Sequence, residues 1–222
     1  MNTVPVAEVF GPVWQGEGPH TGERAWFLRT GLCNLSCEWC DTPFTWDTTR
    51  FDVNAECPPM TAEQLAHALP PALGMLLVVT GGEPLIHAGN LALRSVLTHW
   101  AATGGRIDVE TNGTRPPAGW PVRTWVVSPK ISTRDPAKKR ALHPAWQDQP
   151  NAILKVVCRT PDEVDAVAGF AWDADRVWIM PEGVEAGPLL DTARRIADAT
   201  ARHGFNLSLR HHVLMYGTER AR

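Results

Sequence analysis

Long hydrophobic runs are missing from this sequence. The longest apolar stretch is Gly74–Val79, whereas a helix needs about 20 apolar residues to cross a bilayer. An excess of basic residues is also missing, because the formal net charge is −3, and a general nucleic-acid binder presents a basic face. We therefore expect neither a membrane nor a nucleic acid among the partners of this protein.

The sequence also lacks the features of an exported, disulfide-bonded protein. It does not start with a basic segment followed by an apolar run, as a secretory signal does. The five cysteines are an odd number, which does not suit a complete set of disulfides. These features favour a cytoplasmic protein with reduced thiols.

Repeats, low-complexity tracts and interdomain linkers are absent from the 222 residues. A chain of this length can bury most of its apolar surface in one core, so we expect a single domain over residues 1–222. Short runs of branched and aromatic residues, bounded by turn residues, predict strands. These strands are Ala25–Thr30, Met75–Thr80, Arg106–Glu110, Thr124–Ser128, Ala152–Val157, Arg176–Met180 and Leu207–Leu214.

Helical patterns separate several of these strands. They begin at Thr61, Asn90 and Thr160, and a fourth runs from Pro188 to His203. Alternating strands and helices are typical of an α/β domain with a parallel sheet. Since a complete eightfold barrel takes about 250 residues, the sequence predicts a partial, incomplete TIM-like β/α barrel.

Three of the cysteines, Cys33, Cys37 and Cys40, lie close together with C-x3-C-x2-C spacing. This spacing gathers three thiolates on one tight loop. A structural zinc ion takes four protein ligands, whereas three thiolates around a four-iron cluster leave one iron open for a small molecule. Zinc stays an alternative at this point, because Asp41 or a distant histidine could supply the fourth ligand.

Short polar segments follow the other predicted strands as the cysteine loop follows the first. In a parallel sheet, the loops that leave the carboxyl ends of the strands lie at one edge and carry the site. We therefore expect the cysteine loop to meet Thr80–Pro84, Thr111–Gly113, Ser128–Lys130 and Met180–Glu182. Each of these segments by itself is an ordinary turn sequence.

The same loops suit a methionine-type ligand on an open iron. Backbone carbonyls near Gly81 and Gly82 can approach an ammonium closely, because glycine has no side chain. Ser128 or Asn112 offers hydrogen-bond partners for a ribose, and Lys130 would offset the charge of a carboxylate. This combination favours S-adenosylmethionine.

The cysteine loop together with Thr80–Pro84 resembles the radical S-adenosylmethionine superfamily. Within it, further segments are similar to the 7-carboxy-7-deazaguanine synthase family. They are Trp14–His20, Phe27–Asn34, Cys40–Thr42, Glu110–Gly113 and Ser128–Lys130, with weaker matches at Met180–Glu182 and His212–Gly217.

The resemblance implies a reaction and its cofactors. The family, a group of carbon–nitrogen lyases, contracts the ring of 6-carboxy-5,6,7,8-tetrahydropterin to 7-carboxy-7-deazaguanine with loss of ammonia, a step towards queuosine. It implies a [4Fe–4S] cluster, S-adenosylmethionine that is regenerated in each turnover, and Mg²⁺. The partners it implies are the pterin substrate, an electron donor such as flavodoxin or ferredoxin, and a second copy of the chain in a homodimer.

The resemblance also assigns roles to single residues. Cys33, Cys37 and Cys40 would hold the cluster and so carry the radical chemistry, and Thr42 would bind Mg²⁺. The residues expected to contact S-adenosylmethionine are Trp39, Asp41, Gly82, Glu83, Ser128, Lys130 and Met180. The residues expected to contact the pterin are Trp14, Gln15, Gly16, Glu17, Arg29, Thr80 and His212.

The chemistry of the substrate agrees with the roles of Arg29 and of Gln15–Glu17. A carboxylated pterin is an anion with a planar edge of donors and acceptors, which a guanidinium and amide or carboxylate groups can bind. We therefore expect Arg29 to hold the substrate carboxylate. The plainer alternatives are a surface cation on an edge strand for Arg29 and a turn for Gln15–Glu17.

The sequence departs from the family pattern in two places. Met180–Glu182 stands where many relatives have Gln-Pro, so we expect a backbone contact to adenine there instead of a side-chain amide contact. Glu219–Arg222 does not match the segment with which some relatives cover the substrate. We expect Cys57 and Cys158 to be ordinary thiols and His212 to lie on a buried strand.

Two other functions are compatible with the cysteine spacing. An enzyme that installs a glycyl radical on a partner protein shares the loop and the small size, although Gln15–Glu17 and Arg29 favour a small anionic substrate. A non-enzymatic zinc protein would have a colourless metal site and would not bind S-adenosylmethionine.

Overall fold

A computed structural model describes residues 2–131 and 142–221 of the chain. Within these ranges, nine strands form one sheet. The strands are β1 Thr3–Trp14, β2 Arg24–Thr30, β3 Pro59–Thr61, β4 Leu76–Gly81, β5 Arg106–Thr111, β6 Thr124–Val127, β7 Ala152–Cys158, β8 Val177–Pro181 and β9 Asn206–Leu207.

Helices of varied length connect the strands. The α-helices are α1 Val53–Glu56, α2 Ala62–Ala68, α3 Leu91–Ala102, α4 Pro161–Val167, α5 Ala186–Arg202 and α6 His211–Tyr216. Short 3₁₀ helices are found at Gly18–His20, Pro43–Thr45, Pro84–His87, Pro144–Trp146, Ala168–Phe170 and Ala174–Arg176. Among the described residues, none of the helices has the length and apolar character needed to span a bilayer.

Three helices begin where the sequence predicts. The side chains of Thr61, Asn90 and Thr160 accept hydrogen bonds from backbone N–H groups in the first turns of α2, α3 and α4. Such caps satisfy N–H groups that have no partner inside the helix. The predicted starts of these helices are confirmed.

The sheet is open and mostly parallel. Its strand order is β3-β1-β2-β4-β5-β6-β7-β8-β9, with β1 antiparallel to both β2 and β3. From β2 to β9, each neighbouring pair is parallel. Because β3 and β9 remain edges in the described part of the chain, the predicted partial barrel is confirmed.

The sequence does not predict β1, although it is the longest strand of the described residues. Its alternation of apolar and polar residues is interrupted by Pro5 and Pro12, and its pairing with β2 shifts register between Phe10 and Val13. Pairing on both sides stabilises the strand, since β1 lies between β2 and β3. A local pattern does not contain that information.

The strand predicted over Leu207–Leu214 is wrong. Only Asn206–Leu207 pairs with β8, and the chain then forms α6, so that His212 lies on a helix. Leu207 and Leu209 alternate with polar residues as in a strand. The backbone N–H of His211, however, donates to the carbonyl of Gly16, and this tertiary contact takes the chain out of the sheet.

The two faces of the parallel strands differ in polarity. Val79 belongs to the main core, which is packed beneath the helices. Val78 lies on the opposite, concave face, because successive residues of a strand alternate between faces. Towards the carboxyl ends of the strands, this concave face carries the polar side chains of Thr80, Glu110 and Lys155.

A buried polar pair holds the segment between β1 and β2 against the concave face. His20 Nδ1 lies 2.5 Å from Oδ2 of Asp108, and the Asp108 side chain is only 1% exposed. The backbone N–H of Gly18 donates to Ser208 Oγ at 2.7 Å. The loop that contains Gln15–Glu17 is therefore anchored from its carboxyl-terminal side.

His20→Ala should lower the free energy of unfolding by about 2–3 kcal/mol, because it leaves the buried Asp108 carboxylate without its partner. Urea unfolding of the cluster-free protein measures the change. His67→Ala, on the exposed surface of α2, is the matched control and should change the free energy by less than about 0.5 kcal/mol. Equal effects of the two substitutions would contradict the anchoring role of His20.

Candidate active site

A cavity of about 430 Å³ opens at the carboxyl ends of the parallel strands. Of the site residues predicted from the sequence, all except Glu83 line it. They are Trp14, Gln15, Gly16, Glu17, Arg29, Cys33, Cys37, Trp39, Cys40, Asp41, Thr42, Thr80, Gly82, Ser128, Lys130, Met180 and His212. The expected meeting of the five loops at one edge of the sheet is thus observed.

The cysteine loop lies at this cavity. Cys33, Cys37 and Cys40 are of intermediate exposure, and none of the three forms a disulfide. The indole Nε1–H of Trp46 donates to Cys40 Sγ at 3.3 Å, and the backbone N–H of Leu35 donates to Cys33 Sγ at 3.4 Å. Such hydrogen bonds to sulfur stabilise thiolates and tune iron–sulfur clusters.

The three cysteine side chains lie close enough to influence one another, because, besides burial, Cys37 and Cys40 both raise the pKa of Cys33. No group of three His, Cys, Asp or Glu side chains that could hold one metal ion occurs within residues 2–131 and 142–221. A four-iron cluster binds each thiolate through a different iron and so requires more widely spaced ligands. Burial raises the pKa of the Cys33 thiol to about 12, so cluster binding must release its proton.

Two glycines let the end of β4 pack against the chain that leads into the cysteine loop. A Cβ atom on Gly81 would clash with the backbone of Thr30, and one on Gly82 would clash with the carbonyl of Leu32. Gly81 also has a φ of +127°, which side-chain-bearing residues rarely adopt. The glycines are therefore required for contact between the two loops.

The Glu83 carboxylate is buried behind the cavity wall, with 0% exposure. Its Oε1 accepts hydrogen bonds from Leu85 N at 3.0 Å and Thr111 Oγ1 at 2.7 Å. Its Oε2 accepts one from Asn112 N at 2.7 Å. Burial raises the pKa of Glu83 in spite of these hydrogen bonds. The side chain thus joins the loops after β4 and β5.

Asn34 connects the cysteine loop to the loop after β5, a role that the sequence does not reveal. Asn112 Nδ2 donates to Asn34 Oδ1 at 3.0 Å, and Asn34 Nδ2 donates to Thr114 Oγ1 at 2.8 Å. Asn112 is therefore already engaged with its neighbours. This leaves Ser128 as the freer of the two polar residues expected near a ribose.

Lys130 and Trp39 come together on the side of the cavity next to the cysteines. Lys130 Nζ lies 5.4 Å from the centroid of the Trp39 ring and donates to Ser128 Oγ at 3.0 Å. Met180, near the end of β8, lies at the same cavity and is 5% exposed. Thr42 precedes a short 3₁₀ helix, and its hydroxyl lies 3.7 Å from Cys40 Sγ.

Arg29 lies on an interior strand, since β2 has neighbours on both sides. The alternative of an edge-strand surface cation is therefore wrong. Its Nε donates to Glu8 Oε2 at 2.7 Å, and Glu8 Oε1 also accepts from Arg220 Nε at 2.9 Å. A guanidinium has five N–H donors, so Glu8 orients Arg29 while other donors stay available to a ligand.

Lys155 and Arg210 are cavity residues that the sequence reasoning missed. Lys155 Nζ lies 2.5 Å from Glu17 Oε2 and 2.9 Å from Glu110 Oε1. Arg210 Nε donates to Glu17 Oε1 at 2.9 Å. The sequence does contain one signal for a functional role of Lys155, because it is the only charged residue in the otherwise apolar strand β7.

His212 packs against the loop that precedes β2. A Cβ atom on Gly16 would clash with the His212 ring, and His212 Nε2 lies 3.8 Å from Glu17 Oε1. Burial lowers the pKa of the imidazole, which favours the neutral ring at neutral pH. Gly16 therefore allows a close approach between this loop and α6.

The remaining cysteines lie outside the cavity lining. Cys57 and Cys158 are buried free thiols. Burial raises the pKa of Cys57 to about 11 and that of Cys158 to about 12. Protonated, buried thiols are inert, in agreement with the expectation that these two are ordinary thiols.

Comparison with known proteins identifies the family. No family model matches the chain, but a 7-carboxy-7-deazaguanine synthase from Hyperthermus butylicus is 34% identical over 97% of this chain and 94% of its own length. The chain belongs to the 7-carboxy-7-deazaguanine synthase family. A synthase of the same name from Pyrobaculum aerophilum is 34% identical, covering 99% of this chain and 97% of its own.

The fold agrees with that of a solved structure. The crystal structure of QueE from Escherichia coli superimposes with a TM-score of 0.71 and covers 93% of each chain, at 23% sequence identity. Membership in the 7-carboxy-7-deazaguanine synthase family confirms the resemblance to radical S-adenosylmethionine enzymes, with a [4Fe–4S] cluster and S-adenosylmethionine as cofactors. It sets aside the glycyl-radical activase and the zinc protein.

Glu83→Gln should lower the free energy of unfolding by about 1–3 kcal/mol, because an amide NH₂ would replace an oxygen that accepts from buried N–H or hydroxyl groups. Guanidinium unfolding of the cluster-free protein under anaerobic conditions measures the change. The control is Glu63→Gln on the exposed first turn of α2, which should leave the free energy of unfolding nearly unchanged. An unchanged free energy of unfolding in Glu83→Gln would show that the hydrogen bonds of Glu83 do not stabilise the fold.

Proposed function

We propose that this chain converts 6-carboxy-5,6,7,8-tetrahydropterin to 7-carboxy-7-deazaguanine with loss of ammonia, as a carbon–nitrogen lyase that regenerates S-adenosylmethionine. The observation that carries the proposal is the composition of one cavity. The three cysteines and the charged residues Arg29, Glu17 and Glu110 all line it. A small anionic ligand in this cavity would contact both groups.

The cysteine side of the cavity would hold the cofactors. When bound, the reduced cluster and S-adenosylmethionine supply the radical chemistry that removes a hydrogen atom from the substrate. Trp39 and Lys130 would contact the S-adenosylmethionine, with the cation of Lys130 near its carboxylate. Ser128 and the backbone of Met180 would contact the ribose and the adenine, and Asp41 and the Gly82 backbone would complete the site.

The opposite side would bind the pterin. Arg29, held by Glu8, would donate to the substrate carboxylate, as a guanidinium fits a carboxylate in a bidentate manner. Glu17 would accept hydrogen bonds from the ring edge. Trp14, Gln15, Thr80 and His212 would complete the wall and exclude water from the reacting atoms.

Thr42 would be the protein ligand of Mg²⁺. Mg²⁺ prefers oxygen ligands and keeps several waters, so one hydroxyl together with substrate oxygens and waters would satisfy it. Thr42 lies at the cavity beside Cys40. An electron donor such as flavodoxin or ferredoxin, a homodimer and a cytoplasmic location remain predictions.

The test of the function uses anaerobically reconstituted, reduced protein with the pterin, S-adenosylmethionine and Mg²⁺. We expect 7-carboxy-7-deazaguanine without a stoichiometric amount of 5′-deoxyadenosine, because S-adenosylmethionine is regenerated. 5′-Deoxyadenosine without the deazaguanine would overturn the proposal. Cys33→Ser should abolish both the iron–sulfur absorbance and the product.

Arg29→Ala should raise the KM for the pterin about 10- to 100-fold, the equivalent of losing charge-assisted hydrogen bonds worth about 1.5–3 kcal/mol. Steady-state kinetics measure KM, and the iron–sulfur absorbance checks that the cluster is retained. Arg24→Ala, on the exposed end of the same strand, is the control. Loss of the cluster in Arg29→Ala would make Arg29 a structural residue.

Thr42→Ala should weaken the dependence of the rate on Mg²⁺, because the only hydroxyl assigned to the ion is removed. Thr42→Ser keeps the hydroxyl and should retain the Mg²⁺ dependence of the unsubstituted enzyme. Titration of activity with Mg²⁺ measures the effect. An unchanged titration curve for Thr42→Ala would remove this residue from the metal site.

A further inference from the structure

A lysine joins two carboxylates on the concave face of the sheet. Lys155 is 4% exposed, and its Nζ lies 2.5 Å from Glu17 Oε2 and 2.9 Å from Glu110 Oε1. Glu110 lies on β5, Lys155 lies on β7, and Glu17 lies in the loop after β1. The ammonium thus connects three separate parts of the chain at the cavity.

Each oxygen of the two carboxylates has a protein donor. Arg210 Nε donates to Glu17 Oε1 at 2.9 Å, and Thr80 Oγ1 donates to Glu110 Oε2 at 2.8 Å. Lys155 donates to the other oxygen of each carboxylate. A carboxylate oxygen has two lone pairs, so one acceptor position per oxygen remains for a ligand in the cavity.

Two cations determine the charge state of Glu17. Burial alone would raise the pKa of Glu17, but the cations of Lys155 and Arg210 hold it well below its usual range. Burial alone would lower the pKa of Lys155, and Glu110 and Glu17 raise it instead. Two carboxylates beside one another without a cation would share a proton, as like charges raise one pKa.

We propose that Lys155 is a positioning residue that holds Glu17 and Glu110 as a pair of hydrogen-bond acceptors for the N–H donors of the substrate's 2-aminopyrimidinone edge. The inference rests on the proposed function, because the pterin supplies those donors. Lys155 acts through the two carboxylates and does not itself contact the ring. With a neutral residue in its place, Arg210 would still be bonded to Glu17, but the pair would take up a proton more readily. A protonated oxygen cannot accept in the same way.

The test compares substrate binding by the unsubstituted protein and by Lys155→Met, which has similar length and no charge. Both are reconstituted with the cluster and loaded with S-adenosylmethionine, without reductant, so that binding is measured without turnover. Calorimetry should give a Kd for the pterin that is at least about tenfold higher in the variant. Absorbance of the cluster and binding of S-adenosylmethionine should not change.

The pH dependence of the Kd for the pterin distinguishes a positioning role of Lys155 from a purely structural role. In the unsubstituted protein, the Kd should be nearly flat between about pH 6 and pH 8.5, because Lys155 and Arg210 hold the pKa of Glu17 well below its usual range. In Lys155→Met, binding should weaken further as the pH falls, since the carboxylate pair then takes up a proton. The other charged or titratable groups beside Glu17 are Arg210 and His212, and Asp41 contacts Arg210. All three are common to both proteins.

A double variant separates the carboxylate pair from other titrating groups. Glu110→Gln combined with Lys155→Met removes one carboxylate together with the cation, so Glu17 no longer has a like-charged neighbour. The extra pH dependence of Lys155→Met should disappear in the double variant. This variant also preserves the charge balance and provides the binding measurement if Lys155→Met fails to fold. Arg194→Met, on the exposed face of α5, is the surface control.

Three results would overturn the inference. The first is a Kd in Lys155→Met equal to that of the unsubstituted protein at every pH. The second is equal pH dependence in the single and double variants, and the third is a loss of cluster or S-adenosylmethionine binding that parallels the loss of pterin binding. If the unsubstituted protein neither binds nor converts the pterin, the proposed function itself fails, and the role of Lys155 fails with it.

Discussion

The buried carboxylate of Glu83 is the interaction on which the geometry of the site depends. It accepts hydrogen bonds from Leu85 N, Thr111 Oγ1 and Asn112 N, and so joins the loops that follow β4 and β5. The backbone N–H of Glu83 donates to the carbonyl of Leu32, which extends the connection to the cysteine loop. Since buried polar groups are costly to leave unpaired, these irregular loops have one favoured arrangement.

The charged groups of the cavity form connected chains instead of isolated pairs. The first chain runs through Arg220, Glu8 and Arg29. The second runs through Thr80, Glu110, Lys155, Glu17, Arg210 and Asp41. Glu8, Glu17 and Glu110 are each bonded to at least one cation, which offsets the cost of placing a charge where solvation is poor. The same groups present donors and acceptors to a ligand.

Family membership and the cavity give complementary information. The relatives place the chain among the 7-carboxy-7-deazaguanine synthases, while the geometry puts the cysteine loop and the charged chains in the lining of one cavity of about 430 Å³. This volume is within the range of small-molecule sites. Glu83 illustrates why the two must be combined, because its place in a family motif suggests a cofactor contact, whereas its side chain connects loops.

The sequence by itself determined the features that depend on neighbouring residues. These are the spacing of Cys33, Cys37 and Cys40, the caps of α2, α3 and α4, and most of the parallel strands, because periodicity and capping involve hydrogen bonds and side chains a few residues apart. Only the tertiary structure decided β1, α6 and the bridge between Glu17 and Lys155, which are 138 residues apart. Such contacts depend on which strands become neighbours and which faces they share, and no local pattern contains that information.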